Sequence, residues 1–303
     1  MPQKGKNMSQ VGESSATSAN SCQQDCPFCS EKSLLNYKTK HGDLKNERRL
    51  ATNLRSDKDV TEENVGKVFP LPGKGDKTIG WEAKEGVFED SPVKMAAAPH
   101  HIIPGKASMK PSRIETWTLE SKGKIKQDIG YNIDCAQNGI FLPHIPEIYF
   151  TKRAAGTNIP MSKYYGQTWT DLSLSAKQSI GNIIMGETGL QMHYSDHDDP
   201  YVYGDNMTTY DDECKQECNH LADFMKLKAK QSKCKDGDGK LNPPYNLVQK
   251  INNKSKAIEN RITGFPILWK SWVSQLAQNY TQHLKINKAP LVIKKFLINK
   301  LTK

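Results

Sequence analysis

No run of this 303-residue chain is apolar over the length that a bilayer-spanning helix needs, so no membrane-spanning segment is expected. Residues 1–21 are rich in Ser, Gln, Gly and Lys and lack an apolar core, which argues against a cleaved secretory signal. Hydrophobic residues are scarce, at 36%, and the mean hydropathy is strongly negative. A chain so poor in apolar residues is expected to be loop-rich or disordered over part of its length. Acidic residues are the minority charge, 33 against 43 basic ones, for a net charge of +10. That excess favours a polyanionic partner through phosphate contact and counterion release, although a basic surface also keeps a protein soluble. Cysteine is odd in number, at seven, and unevenly placed, which argues against a fully paired disulfide framework and for a reducing compartment. There is no internal repeat.

What the chain does contain divides it into segments. Residues 1–21 read as a flexible tail, and residues 22–90 as a polar, Cys-containing region with short helices at most. Pro72-Gly73 marks a loop within it. Ile102 and Ile103 suit a short strand that Pro104 stops, with His100 and His101 at its start. Asn138-Gly139 is a turn signal, and Ile140-Phe141-Leu142 after it suits a second short strand. Leu172, Leu174, Ile180, Ile183 and Ile184 recur at helical spacing. Residues 211–230 predict a helix with Cys214, Cys218, Leu221 and Met225 on one stripe. Residues 245–303 read as helical and amphipathic, with Trp269, Trp272 and Leu276 on one face, within a basic C-terminal helical region spanning 211–303.

Three short runs carry chemistry. They are Pro99-His100-His101-Ile102-Ile103-Pro104, Asn138-Gly139-Ile140-Phe141-Leu142-Pro143 and His193-Tyr194-Ser195-Asp196-His197. Metal-assisted cleavage of a phosphodiester needs fixed ligands, an open coordination position and a base within reach of water. His193 and His197, four apart, share one face if they lie on a helix, close enough to hold one cation; surface histidines at chance spacing are the plain alternative. His100 and His101, adjacent on a strand, point to opposite faces, so one can face a metal and the other the scissile phosphate. The alternative is one buried and one exposed histidine without a ligand. The Asn138 amide can bond the carbonyls of the loop bearing His101 and fix that base, or it can serve only as a turn former.

The order of these three runs resembles the His-Asn-His (HNH, endonuclease VII) superfamily, with its ββα-metal core. Within that superfamily the likeness is to the branch named for an Ala-His-His signature (AHH), common among bacterial polymorphic and contact-dependent toxins. The resemblance covers about residues 95–205. It implies an α+β fold, with a small ββα-metal (His-Me finger) core as a nuclease domain at 91–210 inside a mostly helical, loop-rich chain. It also implies that His100, His193 and His197 bind one divalent metal, that His101 is the general base and that Asn138 orients it. Pro99 stands where the signature has Ala, and residues 145–188 read as an insertion between Asn138 and His193. His144 is the alternative third ligand.

The activity implied is sequence-nonspecific DNA endonuclease action by an antibacterial toxin or effector. Such an effector would be made in a bacterial cytoplasm, exported without a signal peptide (for example by type VI secretion) and active in the target-cell cytoplasm. A cognate immunity protein and a secretion or chaperone partner are implied with it. Zn, Mg, Ni or Mn are the candidate ions. Lys106, Lys110 and Arg113 are candidate phosphate contacts by location. RNA cleavage by the same site, or a non-catalytic zinc-stabilised nucleic-acid-binding or adaptor role, are the alternatives. Cys22, Cys26 and Cys29 include one Cys-x-x-Cys, often half of a structural zinc site, with His41 a candidate for the rest. Cys214, Cys218, His220 and Cys234 form a loose cluster in which Cys214 and Cys218 read as core residues, with a disulfide or zinc through Cys234 the alternative.

Overall fold

The computed structural model describes residues 26–29, 39, 47–56, 69–70, 79–82, 94–144, 171–193, 197, 200–203, 206–234, 237 and 239–287. Cys22 and His41 lie outside them. The chain combines helices with small antiparallel sheets, a mixed α and β architecture. One sheet runs in the order β1 (Phe69–Pro70), β2 (Ile79–Glu82), β3 (Lys94–His101), β4 (Gly139–His144), all antiparallel. A separate hairpin joins β5 (Tyr201–Tyr203) to β6 (Asn206–Thr208). Among the described residues no helix is long and apolar enough to cross a membrane.

The β3–β4 pair sets the frame. Ala98 pairs with Leu142, His100 with Ile140 and His101 with Gly139. The strand lies upstream of where Ile102 and Ile103 alone predict it: it ends at His101, and both isoleucines are buried in the turn beyond. Asn138 lies at a turn that leads into β4, as its sequence signals. It closes a single 3-10 turn (Ala136–Asn138), and Gly139 follows in extended conformation at φ −129. Helix α1 (Glu47–Ser56) lies over this strand end with Leu50 and Leu54 buried. A Cβ on Gly139 would stand 2.6 Å from Leu50 Cδ1. Glycine is favoured here by the approach of the Leu50 and Leu54 side chains of α1, not by its dihedral angles.

Behind the sheet, a one-turn π-helix (Gly105–Met109) and the short α2 (Glu115–Thr118) pack on α4 (Tyr210–Gln231). Helix α4 starts at Thr209, whose hydroxyl accepts from the Asp212 N–H, and carries Asp211, Asp212 and Glu213 in its first turn and Lys228 and Lys230 in its last. This is the charge arrangement the helix dipole favours. Tyr210, Cys214, Cys218, Leu221 and Met225 form its buried stripe, so Cys214 and Cys218 are core residues as their spacing suggests. Burial also pushes both thiols up, Cys218 to about 12.

Beyond α4, the described part of the C-terminal region is helical, as two helices. Helix α5 (Leu247–Ile262) buries Leu247, Ile251, Ser255, Ile258 and Ile262, and α6 (Gln275–Asn287) follows after a break. Gly264 at φ +88 and Pro266 make the break, so Trp269 and Trp272 sit in the connection and only Leu276 is helical. The break is structural: Arg261 accepts from the Lys270 N–H at its carbonyl, and Trp272 Nε1 donates to Thr281 Oγ1 at 3.0 Å. Helix α6 packs on α3 (Leu174–Thr188), which is capped by Ser173 and ended by Gly189 at φ +68.

Candidate metal centre

Strand alternation divides the two adjacent histidines as their sequence predicts. His100 is 2% exposed and faces His193, His197 and Tyr210, at ring-centroid distances of 5.0, 4.7 and 5.6 Å. His101 lies on the other face, with its side chain 22% exposed.

His193 and His197 reach His100 without sharing a helix. Helix α3 stops at Thr188, and the chain passes Leu190, Gln191 and Met192, all buried, before His193. Gln191 is pinned at both ends: Nε2 donates to the Ser271 carbonyl at 2.7 Å, and Oε1 accepts from the Val273 N–H at 2.8 Å. Ser274 Oγ donates to the Met192 carbonyl at 2.6 Å. His193 then donates its own N–H to the Pro143 carbonyl on β4 at 2.8 Å. His197 lies in a turn. The single-helix arrangement suggested by the His-x-x-x-His spacing is therefore corrected; tertiary clips, not helical periodicity, bring the rings together. Their Nε2 atoms stand 2.7 Å apart.

The first two residues of α4 complete the arrangement. Asp211 Oδ1 lies 3.3 Å from His197 Nδ1, which leaves His197 Nε2 turned to the other imidazoles. A carboxylate on the far nitrogen is the usual way a ligating imidazole is oriented and its tautomer fixed. Tyr210 donates its hydroxyl to the Ile102 carbonyl at 2.7 Å, tying the helix start to the turn after His101. Burial, then the neighbouring Cys214, pushes the Tyr210 phenol well up, so it remains a donor.

These residues fit a metal ion. The ligand atoms of His100, His193 and His197 all lie within 4.8 Å of one another. Metal–imidazole bonds of about 2.0–2.1 Å in a tetrahedron place such nitrogens roughly 3.4 Å apart. His100 Nε2 is buried with no hydrogen-bond partner. Burial above all, then the adjacent rings of His197, His193 and His101, holds the His100 pKa well below 6.5. His100 is therefore a neutral imidazole whose buried nitrogen has nothing from the protein to bond, a costly arrangement that a metal bond would relieve. Three protein ligands leave a coordination position for water or substrate. Of the two residues open for the third place, His193 is in the cluster; the side chain of His144 lies outside the described residues.

On the opposite face, His101 Nε2 lies 3.0 Å from Asp134 Oδ1. Asp134 is fully buried, its Oδ2 is 3.8 Å from Arg49 Nη1, and its carbonyl accepts from Asn53 Nδ2 at 2.6 Å. A carboxylate accepts only, so His101 donates from Nε2 and keeps its lone pair on Nδ1.

Asn138 is fully buried and uses both ends of its amide. Nδ2 donates to the Ile103 carbonyl (3.1 Å) and the Ile133 carbonyl (3.0 Å), while Oδ1 accepts from the Ile103 N–H (2.9 Å) and Ser255 Oγ (2.8 Å). It therefore joins the turn after His101 to the segment that presents Asp134. It touches neither the His101 ring nor the imidazole cluster, so its part is positioning. Ser255 explains itself here: a polar residue in the apolar stripe of α5, it supplies a donor to Asn138.

The candidate phosphate contacts lie just beyond. Lys106 and Lys110 are exposed on the turn that follows Pro104. Arg113 is exposed too, but its guanidinium is paired with Asp223 at 2.7 Å and its N–H bonds Asn219 Oδ1. Of the N-terminal cysteines, Cys26 and Cys29 are brought to Cys234, and among the described residues the three sulfurs form a second group able to hold a metal; Cys22 and His41, named with them from the sequence, lie outside the described residues.

Sequence reasoning did not single out Asp134, Tyr210, Asp211 or Cys234 for these places. Asp211 in a first helical turn looks like any dipole-compensating acid, and Asp134 ends an ordinary Tyr-Asn-Ile-Asp run. Compared with family models, curated proteins and solved structures, the chain gives no match in any of the three.

Proposed function

We propose that the chain is a metal-dependent, sequence-nonspecific DNA endonuclease of the His-Asn-His type, built around a ββα-metal core. The observation that carries this reading is the joining of two half-sites at one strand end. Neutral His100 meets His193 and His197 on one face, and His101 sits against buried Asp134 on the other. An isolated imidazole trio suits many roles; a base beside it, with its tautomer fixed and its lone pair left on Nδ1, suits hydrolysis.

In this reading His100, His193 and His197 hold one divalent cation. When bound, the cation supplies Lewis-acid stabilisation of the charge developing on the phosphoryl and leaving 3′ oxygens. Imidazole donors suit Zn or Ni, and Mg or Mn are compatible where waters fill the remaining positions. His101 Nδ1 takes the proton of the attacking water, the new oxygen–phosphorus bond forms in line, and the bond to the 3′ oxygen breaks. Asp134 stabilises the imidazolium that results. Asn138 keeps the base and its carboxylate in register. Lys106 and Lys110 contact backbone phosphate, which carries no base identity and so gives nonspecific cutting. Arg113 joins them once released from Asp223, an exposed pair that costs little to open.

The biological role follows from the resemblance to the Ala-His-His toxin branch: an exported antibacterial effector, matched in its producer by an immunity protein. The test is a supercoiled-plasmid nicking assay with added Mg, Mn, Zn or Ni, with and without chelator, on the native chain and His101→Ala. Cutting that both chelator and substitution abolish supports the proposal. Cleavage confined to RNA moves it to a ribonuclease, and binding without cleavage under every metal overturns it.

A further inference from the structure

We propose that Cys26, Cys29 and Cys234 bind a zinc ion that clasps the N-terminal segment to the end of α4, independently of the histidine site and of its nuclease reading. The three sulfurs lie within 4.8 Å of one another. Zinc–thiolate bonds of about 2.3 Å in a tetrahedron place sulfurs roughly 3.8 Å apart, inside that spread. The pairing is long-range: Cys29 and Cys234 are separated by 205 positions, with Sγ atoms 2.7 Å apart and no disulfide between them.

The backbone on both sides is built to present sulfur. Cys29 donates its N–H to the Cys26 carbonyl at 3.3 Å, which folds Cys26-Pro27-Phe28-Cys29 into a knuckle with both thiols on one side. Opposite, Ser232 caps the turn after α4: its Oγ accepts from the Cys234 N–H at 3.1 Å and from Cys26 Sγ at 3.5 Å. The knuckle is docked independently of its sulfurs. Phe28 is fully buried, its ring 5.9 Å from that of Trp117. Asn242 Nδ2 donates to the Phe28 carbonyl at 3.2 Å, and Tyr245 donates its N–H to the Pro27 carbonyl at 3.2 Å.

Chemistry favours an ion over a disulfide. A Cys29–Cys234 bridge would consume two sulfurs and leave Cys26, aimed into the same group, with no part in it. A zinc ion uses all three. Cys29 is exposed and Cys26 buried, so the ion has an entry side and a sheltered side. Metal bound by a folded chain and not by an unfolded one stabilises the fold, so the clasp links docking of residues 26–29 to zinc supply.

The test uses the full chain, reduced and stripped of metal, then titrated with cobalt as the spectroscopic probe and with zinc. We expect the strong near-ultraviolet band of thiolate-to-cobalt charge transfer, which imidazole ligands do not give. Zinc displaces it. The band persists in His100→Ala, which removes only the imidazole site, and in the control Cys135→Ser. It is lost in Cys29→Ser and in Cys234→Ser. Should either serine variant fail to fold, thiol alkylation of the native chain decides: zinc protects Cys26, Cys29 and Cys234 together, read by peptide mass spectrometry. Absence of the band, alkylation of the three that zinc does not slow, or a Cys29–Cys234 disulfide formed under mild reducing conditions overturns the proposal.

Discussion

His101 Nε2 and Asp134 Oδ1 are 3.0 Å apart, joined across 33 positions of chain, with the carboxylate fully buried beneath a partly exposed ring. The pair makes the identity of the base testable. His101→Ala should lower plasmid nicking by about 10²–10⁴-fold, the usual worth of a positioned general base. Asp134→Asn keeps the shape but presents the imidazole with a group that can also donate, so the wrong tautomer becomes accessible. A loss of roughly 10–100-fold in kcat, with KM for DNA little changed, is expected. Native-level activity in both variants would remove His101 from the chemistry.

Asp211 stands to His197 as Asp134 stands to His101, a carboxylate behind an imidazole. Its removal should therefore register on metal rather than on proton transfer. Asp211→Asn is expected to weaken divalent-ion affinity by about 10–100-fold, measured by calorimetric titration of the metal-free chain. Cleavage should return at high metal concentration. His197→Ala should not be rescued in this way. Thermal melts give an independent reading: a ligand at about 100 times its Kd adds roughly 2.7 kcal/mol to stability, and this increment should vanish in His197→Ala.

How much of this site the sequence discloses depends on range. The opposite facing of His100 and His101 follows from the two-residue period of a strand and needs no tertiary information. The stripe of α4 follows from helical period in the same way. The route to His193 does not: four-residue spacing suggests a helix, yet Gly189 ends α3 in left-handed conformation before His193 is reached, and Gln191 and Ser274 then fix the chain. Gly189 is itself a readable stop signal, as is the Gly264/Pro266 break that removes Trp269 and Trp272 from a helix. The contacts of Asp134, Asp211, Ser255 and Cys234 are not readable. Each is an ordinary residue in its local window and acquires a role only from partners brought to it by folding.

Acid should destabilise the metal-free chain, for a reason that can be given a sign. The folded pKa of His100 lies well below its unfolded value of 6.5 because of burial and the neighbouring imidazoles. Between the two values the unfolded chain carries the extra proton, so stability falls as pH drops below about 6.5 and levels off beneath the folded value. Glu217 adds to the slope at lower pH. Burial alone would raise its pKa, but Lys254 and Arg261 outweigh burial and hold it below 4.5, so its contribution is lost as pH falls through that range. Urea midpoints measured from pH 7.5 to pH 4 should decline throughout. His100→Gln should flatten the upper part of the curve and leave the lower part intact. A His100→Gln curve parallel to that of the native chain would mean that His100 is not the titrating group.

The strand end that carries both histidines is held from two directions, and each hold can be loosened separately. Asn138→Ala removes an amide that satisfies the N–H and C=O of Ile103 and the C=O of Ile133. Leaving buried groups unpaired costs about 1–3 kcal/mol each, so a loss of roughly 3 kcal/mol is expected in denaturant unfolding, together with loss of cleavage. Ser255→Ala removes a single donor from the same amide and should cost about 1 kcal/mol. Gly139→Ala acts from the other side, driving a methyl against Leu50 and Leu54 of α1. Those side chains end in flexible methyls, so an overpacking cost of about 1–3 kcal/mol is expected rather than misfolding. Metal affinity separates the two holds. Asn138 acts on the turn beyond His101 and Gly139 on the strand residue paired with it, while the imidazole trio is clipped to β4 and to residues 271–274. Asn138→Ala should therefore lose cleavage while retaining metal binding, a dissociation that a general loss of fold would not produce.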